Sequence, residues 1–118
     1  PYVWTARRVG NGAFVGWFCL WPESDTLAEL GYRLRRMDWG QGLASEGASA
    51  LVHWGFETGG YDRIVATTMA VNQASRRVME KIGMTYARTT PTESSDPIPG
   101  REHGEVWYEL TRSGWTGG

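Results

Sequence analysis

Residues 28–49 read A-E-L-G-Y-R-L-R-R-M-D-W-G-Q-G-L-A-S-E-G-A-S and predict a strand, a turn with two glycines and the start of a helix. Apolar and polar side chains alternate over residues 28–34, which is typical of a half-buried strand. From Leu43 onward, small and apolar residues recur at helical spacing. The turn between them, residues 40–42, would leave backbone N–H groups unpaired at a helix N-terminus, and such a turn can bind phosphate.

Two familiar phosphate-binding motifs do not fit this turn. A P-loop ends in Gly-Lys-Ser or Gly-Lys-Thr, but the only lysine of the chain is Lys81. A dinucleotide-binding motif needs a third glycine where Ser45 stands, and its acidic partner, Asp62, precedes an apolar run instead of ending one. The residues alone leave two interpretations: a phosphate-binding turn of another kind, or a plain strand–turn–helix without a ligand.

Two motifs resemble a known enzyme family. Residues 39–44, W-G-Q-G-L-A, are similar to the pyrophosphate-binding motif of the GCN5-related N-acetyltransferases, with Trp39 in place of the usual Gln or Arg. Residues 72–84, N-Q-A-S-R-R-V-M-E-K-I-G-M, resemble the signature of the Rim-type branch, which acetylates ribosomal-protein N-termini. The resemblance covers roughly residues 4–111. It implies an N-acetyltransferase that uses acetyl-coenzyme A as co-substrate and a primary amine as acceptor.

The resemblance also implies the fold. We expect one α/β domain over residues 1–118, with a mixed, mostly antiparallel sheet flanked by helices and two central strands that part to admit the pantetheine arm. The first strand and N-terminal helices of the family have no counterpart in these residues. An apolar face near residues 13–20, Trp4 and Trp17 would then be exposed. We therefore expect either a homodimer that covers this face or a piece of a longer protein.

The cofactor-binding residues follow from the same resemblance. Backbone N–H groups of the turn would hold the pyrophosphate, a freed N–H at the end of the strand would meet the thioester carbonyl, and two arginines would reach phosphates. The predicted set is Leu34, Arg35, Arg36, Gln41, Gly42, Leu43, Ala44, Ser45, Asn72 and Arg76.

Acetyl transfer also needs a proton donor and a proton acceptor. Many family members place a tyrosine donor where this chain has Met79, so Ser75, which matches the Rim-type serine, is expected to hydrogen-bond the leaving thiolate. For the base, Glu29 matches the strand position used by histone-acetylating members, and His103 is the alternative because histidine titrates near neutrality. A water relay could replace either. Each of these side chains could also be an ordinary polar group without a catalytic role.

Composition narrows the remaining classes of function. Twelve basic and thirteen acidic residues give a net charge of −1. The chain therefore has no net positive charge that would attract nucleic acid or an anionic membrane. A single cysteine, Cys19, excludes an internal disulfide and fits a reducing compartment, so a cytoplasmic location is expected. No metal site is expected. Two alternatives to an active enzyme stay open: a catalytically inactive coenzyme A-binding module, and an interaction domain without a ligand.

Overall fold

The computed structural model describes residues 2–7, 9–34, 42–91 and 104–117, which form six strands and three helices. In chain order these are β1 (Tyr2–Arg7), β2 (Phe14–Pro22), β3 (Leu27–Leu34), α1 (Leu43–Glu57), β4 (Arg63–Met69), α2 (Gln73–Lys81), β5 (Thr85–Thr90), β6 (Glu105–Thr111) and α3 (Arg112–Gly117). None of these helices is long and apolar enough to cross a membrane. Four predicted site residues lie outside the described residues: Arg35, Arg36, Gln41 and His103.

The six strands form one sheet in the order β1-β2-β3-β4-β6-β5. Every neighbouring pair is antiparallel except β3 and β4, which run parallel. The mixed, mostly antiparallel sheet expected from the sequence is therefore confirmed. The parallel ladder is short and ends at the pair Glu29↔Val65. Beyond that pair the described residues of the two strands form no further rungs, so β3 and β4 part over residues 30–34 and 66–69.

The core lies on one side of the sheet, which we call the helix side. Alternation along each strand sends every second side chain to this side, where α1 and α2 cover it. Its largest fully buried side chains on the strands are Leu20, Ile64 and Tyr108. Two glycines of α1, Gly47 and Gly55, let this helix approach the sheet closely, since a Cβ at either position would clash with strand side chains.

The opposite side of the sheet, which we call the outer face, exposes large apolar side chains. Val3 is 59% exposed, Trp17 37% and Trp21 48%. The predicted exposed apolar face therefore lies on β1 and β2. Trp4, which was expected beside it, instead packs on the helix side against Trp54, with ring centroids 5.1 Å apart. The correction follows from strand alternation, because Trp4 pairs with Phe18, whose ring faces the helix.

Gly47→Ala should destabilise the fold, although alanine is the better helix former. The added Cβ would lie 2.7 Å from Cε1 of Phe18, a ring that is 4% exposed and packed in the core. Overpacking of this kind costs about 1–3 kcal/mol, against a propensity gain of about 1 kcal/mol. Because the contact is very short, we expect the cost to exceed the gain and the free energy of unfolding to fall by up to about 2 kcal/mol in urea denaturation. Ser49→Ala, at an exposed position of the same helix, is the control. A Gly47→Ala protein as stable as this control would contradict the tight packing of α1.

Candidate active site

A cavity of about 570 Å³ opens where β3 and β4 part, and we call it the split cavity. Its volume lies within the range of ordinary ligand and cofactor sites. It is bounded by the two parted strands and by the first turns of α1 and α2. The lining residues are Leu30, Gly31, Tyr32, Arg33, Gly42, Leu43, Ala44, Thr67, Thr68, Asn72, Ala74, Ser75, Arg77, Val78 and Met79.

The N-terminus of α1 forms one end of the split cavity. Gly42 is its N-cap residue, with φ 77° and ψ 0°, a left-handed conformation that favours glycine. No side chain of the described residues caps this end. The N–H groups that open the helix therefore remain available at its positive pole, which attracts anions. Leu43 and Ala44 line the cavity, whereas Ser45 is half-buried and does not.

The first turn of α2 forms a second wall. The amide oxygen of Asn72 accepts a hydrogen bond from the backbone N–H of Ser75, at 3.1 Å, which is ordinary helix capping. This fixes Ser75 in the first turn, where it borders the cavity. Asn72 also lines the cavity, but its side-chain oxygen already serves the helix.

Ser75 has a partner that sequence reasoning missed. Its hydroxyl lies 3.2 Å from the hydroxyl of Tyr32, and the two are joined across 43 positions of the chain. The Tyr32 ring stacks against Phe18, with centroids 5.8 Å apart, which holds the phenol in place. Burial raises the pKa of Tyr32 above its ordinary value, and the hydrogen bond with Ser75 partly offsets this. The cavity therefore contains a half-buried phenol that is hydrogen-bonded to a serine.

The predicted contact of Arg76 with phosphate needs revision, whereas the strand-end contact at Leu34 stays a prediction. Arg76 is held away from the split cavity, because Nε donates to the hydroxyl of Tyr108 at 3.1 Å and Nη1 donates to the carbonyl of Ala70 at 2.9 Å. Its neighbour Arg77, which sequence analysis did not select, lines the cavity instead. Leu34 ends β3 beside the cavity and pairs with Gly16 of β2.

Glu29 lies at a second cavity on the outer face, about 420 Å³ in volume, which we call the outer cavity. Burial raises the pKa of the Glu29 carboxyl, and the negative charges of Glu23 and Glu105 raise it further. Glu29 belongs to the last rung before the strands part, so it stands where the gap begins. The remaining lining residues are Glu23, Leu27, Arg63, Val65, Arg88 and Trp107.

The structure therefore places the predicted acid and base on opposite sides of the sheet. Ser75 and Tyr32 border the gap between the strands from the helix side, and Glu29 stands at the outer face beside the same gap. A molecule that threads the gap could meet a proton donor on one side and a proton acceptor on the other.

Comparison with known proteins identifies the family. Residues 1–85 match the family model described as the acetyltransferase (GNAT) domain, which is more than half of the chain. The chain belongs to this family.

Two relatives show how much of a family member these residues represent. The chain is 40% identical over 114 residues to a protein of Aspergillus fumigatus named FsC-acetyl coenzyme A-N(2)-transacetylase, covering 89% of this chain and 48% of that protein. The crystal structure of a GNAT-family acetyltransferase from Bacillus anthracis superposes with a TM-score of 0.82 at 27% identity, covering 94% of this chain and 66% of that one. The chain thus spans about half the length of the curated relative.

The narrower Rim-type assignment has weaker support. The ribosomal-protein-S5-alanine acetyltransferase of Vibrio fischeri superposes with a TM-score of 0.75 over 88% of this chain and 57% of its own, at 17% identity. Identity this low demonstrates a shared fold alone. The Rim-type branch therefore stays a prediction.

Gly42→Val should weaken acetyl-coenzyme A binding by a factor of about ten or more, because a branched side chain disfavours the left-handed turn that presents the α1 N–H groups. Gly60→Val is the matched control. Gly60 has nearly the same φ, 78°, and equally open surroundings, but lies past the other end of the 15-residue helix, roughly 22 Å away. Isothermal titration calorimetry should show the loss for Gly42→Val alone. Equal affinity in the two folded variants would contradict a phosphate site at this turn.

Proposed function

We propose that the protein containing this chain transfers the acetyl group of acetyl-coenzyme A to a primary amine. The observation that carries the proposal is the split cavity, which joins an uncapped helix N-terminus at Gly42 to the hydroxyl pair of Tyr32 and Ser75. The helix N-terminus would bind the phosphates of coenzyme A, and the hydroxyl pair would donate a proton to the sulfur at the thioester end.

The cofactor would be held mainly by backbone groups. The N–H groups at residues 42–44 would bind the pyrophosphate, with Gln41 and Ser45 as the neighbouring predicted donors. Arg77 is the described arginine that lines the cavity, and Arg35 and Arg36 stay predictions. The pantetheine amides would hydrogen-bond to the parted edges of β3 and β4, as an added strand does.

The reaction would proceed by direct transfer. The amine nitrogen attacks the thioester carbonyl carbon, the C–N bond forms, and the C–S bond breaks to release a thiolate. Ser75 would give its proton to that sulfur and take one from Tyr32, because a phenol is a far stronger acid than an alkyl hydroxyl. Solvent would then reprotonate Tyr32. Serine alone could offer the thiolate only a hydrogen bond. The Tyr32–Ser75 pair would therefore supply the proton that Met79 cannot donate.

The amine must lose a proton before or during attack. Glu29 is our proposed base, acting directly or through a water, because its raised pKa makes the carboxylate a better proton acceptor. His103 stays the alternative base.

The acceptor is proposed from the relatives. The 40% identical relative is named as a transacetylase acting at an N(2) position, which favours a small-molecule amine for this chain. A protein N-terminus is the second candidate, favoured by the resemblance of residues 72–84 to the Rim-type signature. A homodimer through the exposed apolar face and a cytoplasmic location also stay predictions.

Acetylation of a defined amine panel tests the function and the relay together. The panel comprises an alanine-initiated peptide, spermidine, an aminoglycoside and an amino acid ester. We expect the unaltered protein to acetylate at least one member. Tyr32→Phe and Ser75→Ala should each lower kcat by roughly ten- to a thousandfold with little change in acetyl-coenzyme A affinity.

The double variant separates a relay from two independent contacts. If Tyr32 and Ser75 form one relay, the double variant should have a kcat no lower than that of the slower single variant. If they act independently, the two fold-losses in kcat should multiply. Multiplied losses would contradict the relay. An unaltered protein that binds coenzyme A but acetylates no amine would instead support the catalytically inactive binding module.

Glu29→Gln should reduce kcat most at low pH, because at high pH the amine deprotonates without help. The same variant should raise the melting temperature at neutral pH. A carboxyl whose pKa is raised in the folded state stabilises the fold fully only below its ordinary pKa, and that contribution is lost as the pH rises through the raised value. The gain should vanish at acid pH, where both states are protonated.

Glu80→Gln, which removes an exposed carboxylate on α2, controls for loss of charge alone. If the ratio of kcat between Glu29→Gln and the unaltered protein does not vary with pH, Glu29 is not the base. His103 would then be the remaining candidate.

A further inference from the structure

The outer side of the split contains a polar atom that the proposed mechanism does not use. The hydroxyl oxygen of Thr67 is buried and has no hydrogen-bond partner among the described residues. Buried side-chain hydroxyls in folded proteins are nearly always paired. Thr67 also lines the split cavity, so a molecule that enters the cavity could supply the missing partner.

The position of Thr67 explains why its buried hydroxyl has no partner on the neighbouring strand. It lies two residues beyond Val65, the last residue of β4 that pairs with β3. If the parallel ladder continued, Thr67 would face Gly31, which has no side chain. Alternation along β4 directs Thr67 to the outer face with Val65, on the side opposite Tyr32 and Ser75.

The nearest aromatic neighbour on β6 does not satisfy this hydroxyl. Trp107 is directly opposite Thr67 in the antiparallel ladder, but its indole N–H donates to the hydroxyl of Thr90 at 3.0 Å. The guanidinium carbon of Arg88 lies 4.6 Å from the Trp107 ring centroid, which fixes the other side of the indole. Trp107, which lines the outer cavity, thus forms a wall beside Thr67.

We infer that the Thr67 hydroxyl positions the attacking amine by accepting a hydrogen bond from one of its N–H groups. This rests on the proposed acetyl transfer. A neutral primary amine has two N–H groups and one lone pair. With one N–H bound by Thr67 on the outer face, the lone pair points into the gap, where the thioester carbonyl would lie between β3 and β4. The other side of the nitrogen would face Glu29, two residue positions back along the ladder, which takes the proton lost on acylation.

No bond is made or broken at Thr67, so it is a substrate-positioning residue. The inference specifies the acceptor as a primary amine that approaches from the outer face, between Gly31 and Trp107. Its leaving partner, the thiolate, is protonated from the helix side by Ser75.

Thr67→Val tests this assignment because valine has the shape of threonine and lacks only the hydroxyl. The whole protein is assayed with each amine of the panel that it acetylates. We expect kcat/KM for the amine to fall about ten- to a hundredfold, with acetyl-coenzyme A affinity unchanged within about twofold. The melting temperature should stay equal or rise, because the variant buries no unpaired oxygen. Thr67→Ser keeps the hydroxyl, so its kcat/KM should stay within a few-fold of that of the unaltered protein.

Thr5→Val, an exposed substitution on β1 of the same outer face, is the matched control and should change none of these values. Unchanged kcat/KM in Thr67→Val would overturn the assignment. So would an equal loss of acetyl-coenzyme A affinity, which would make the hydroxyl a cofactor contact, or a parallel fall in melting temperature, which would make it structural. Failure of the proposed function is distinguishable, because the unaltered protein itself would then acetylate no amine.

Discussion

The separation of β3 from β4 is the constraint on which the rest of the structure depends. The two strands share three rungs and then part in the middle of the sheet, where neighbouring strands ordinarily stay paired. Backbone N–H and C=O groups in a protein interior are rarely left without partners. The gap is therefore suited to a third extended chain with amide groups of its own, and the pantetheine arm of coenzyme A has that character.

The two sides of the gap differ in ways that suit opposite proton transfers. On the helix side, the phenol of Tyr32 is hydrogen-bonded to Ser75, which suits a proton donor, and burial raises its pKa. On the outer face, burial and two neighbouring carboxylates raise the pKa of Glu29, which suits a proton acceptor. Both shifts have the same main cause, since desolvation disfavours the charged form of each group. The sheet itself keeps the two groups apart.

Sequence reasoning succeeded where the determinant is local and failed where it depends on strand pairing. The strand before the turn and the helix that begins at Leu43 each depend on neighbouring residues, and the spacing of two motifs indicated the family. The Tyr32–Ser75 pair could not be predicted, because it requires knowing that residues 43 positions apart meet. Likewise, Arg76 was expected to reach phosphate until Tyr108, from the last strand, was seen to hold it.

Amide hydrogen exchange, resolved by residue, with and without coenzyme A tests the central claim most directly. If the cofactor threads the gap, coenzyme A should slow exchange by about tenfold or more at those amides of residues 30–34 in β3 and 66–69 in β4 that point into the gap, since the alternate amides already face β2 or β6. Amides of the β1–β2 ladder, already paired and remote from the gap, should not change. Coenzyme A binding, measured by calorimetry, without any slowing at these two segments would contradict the account.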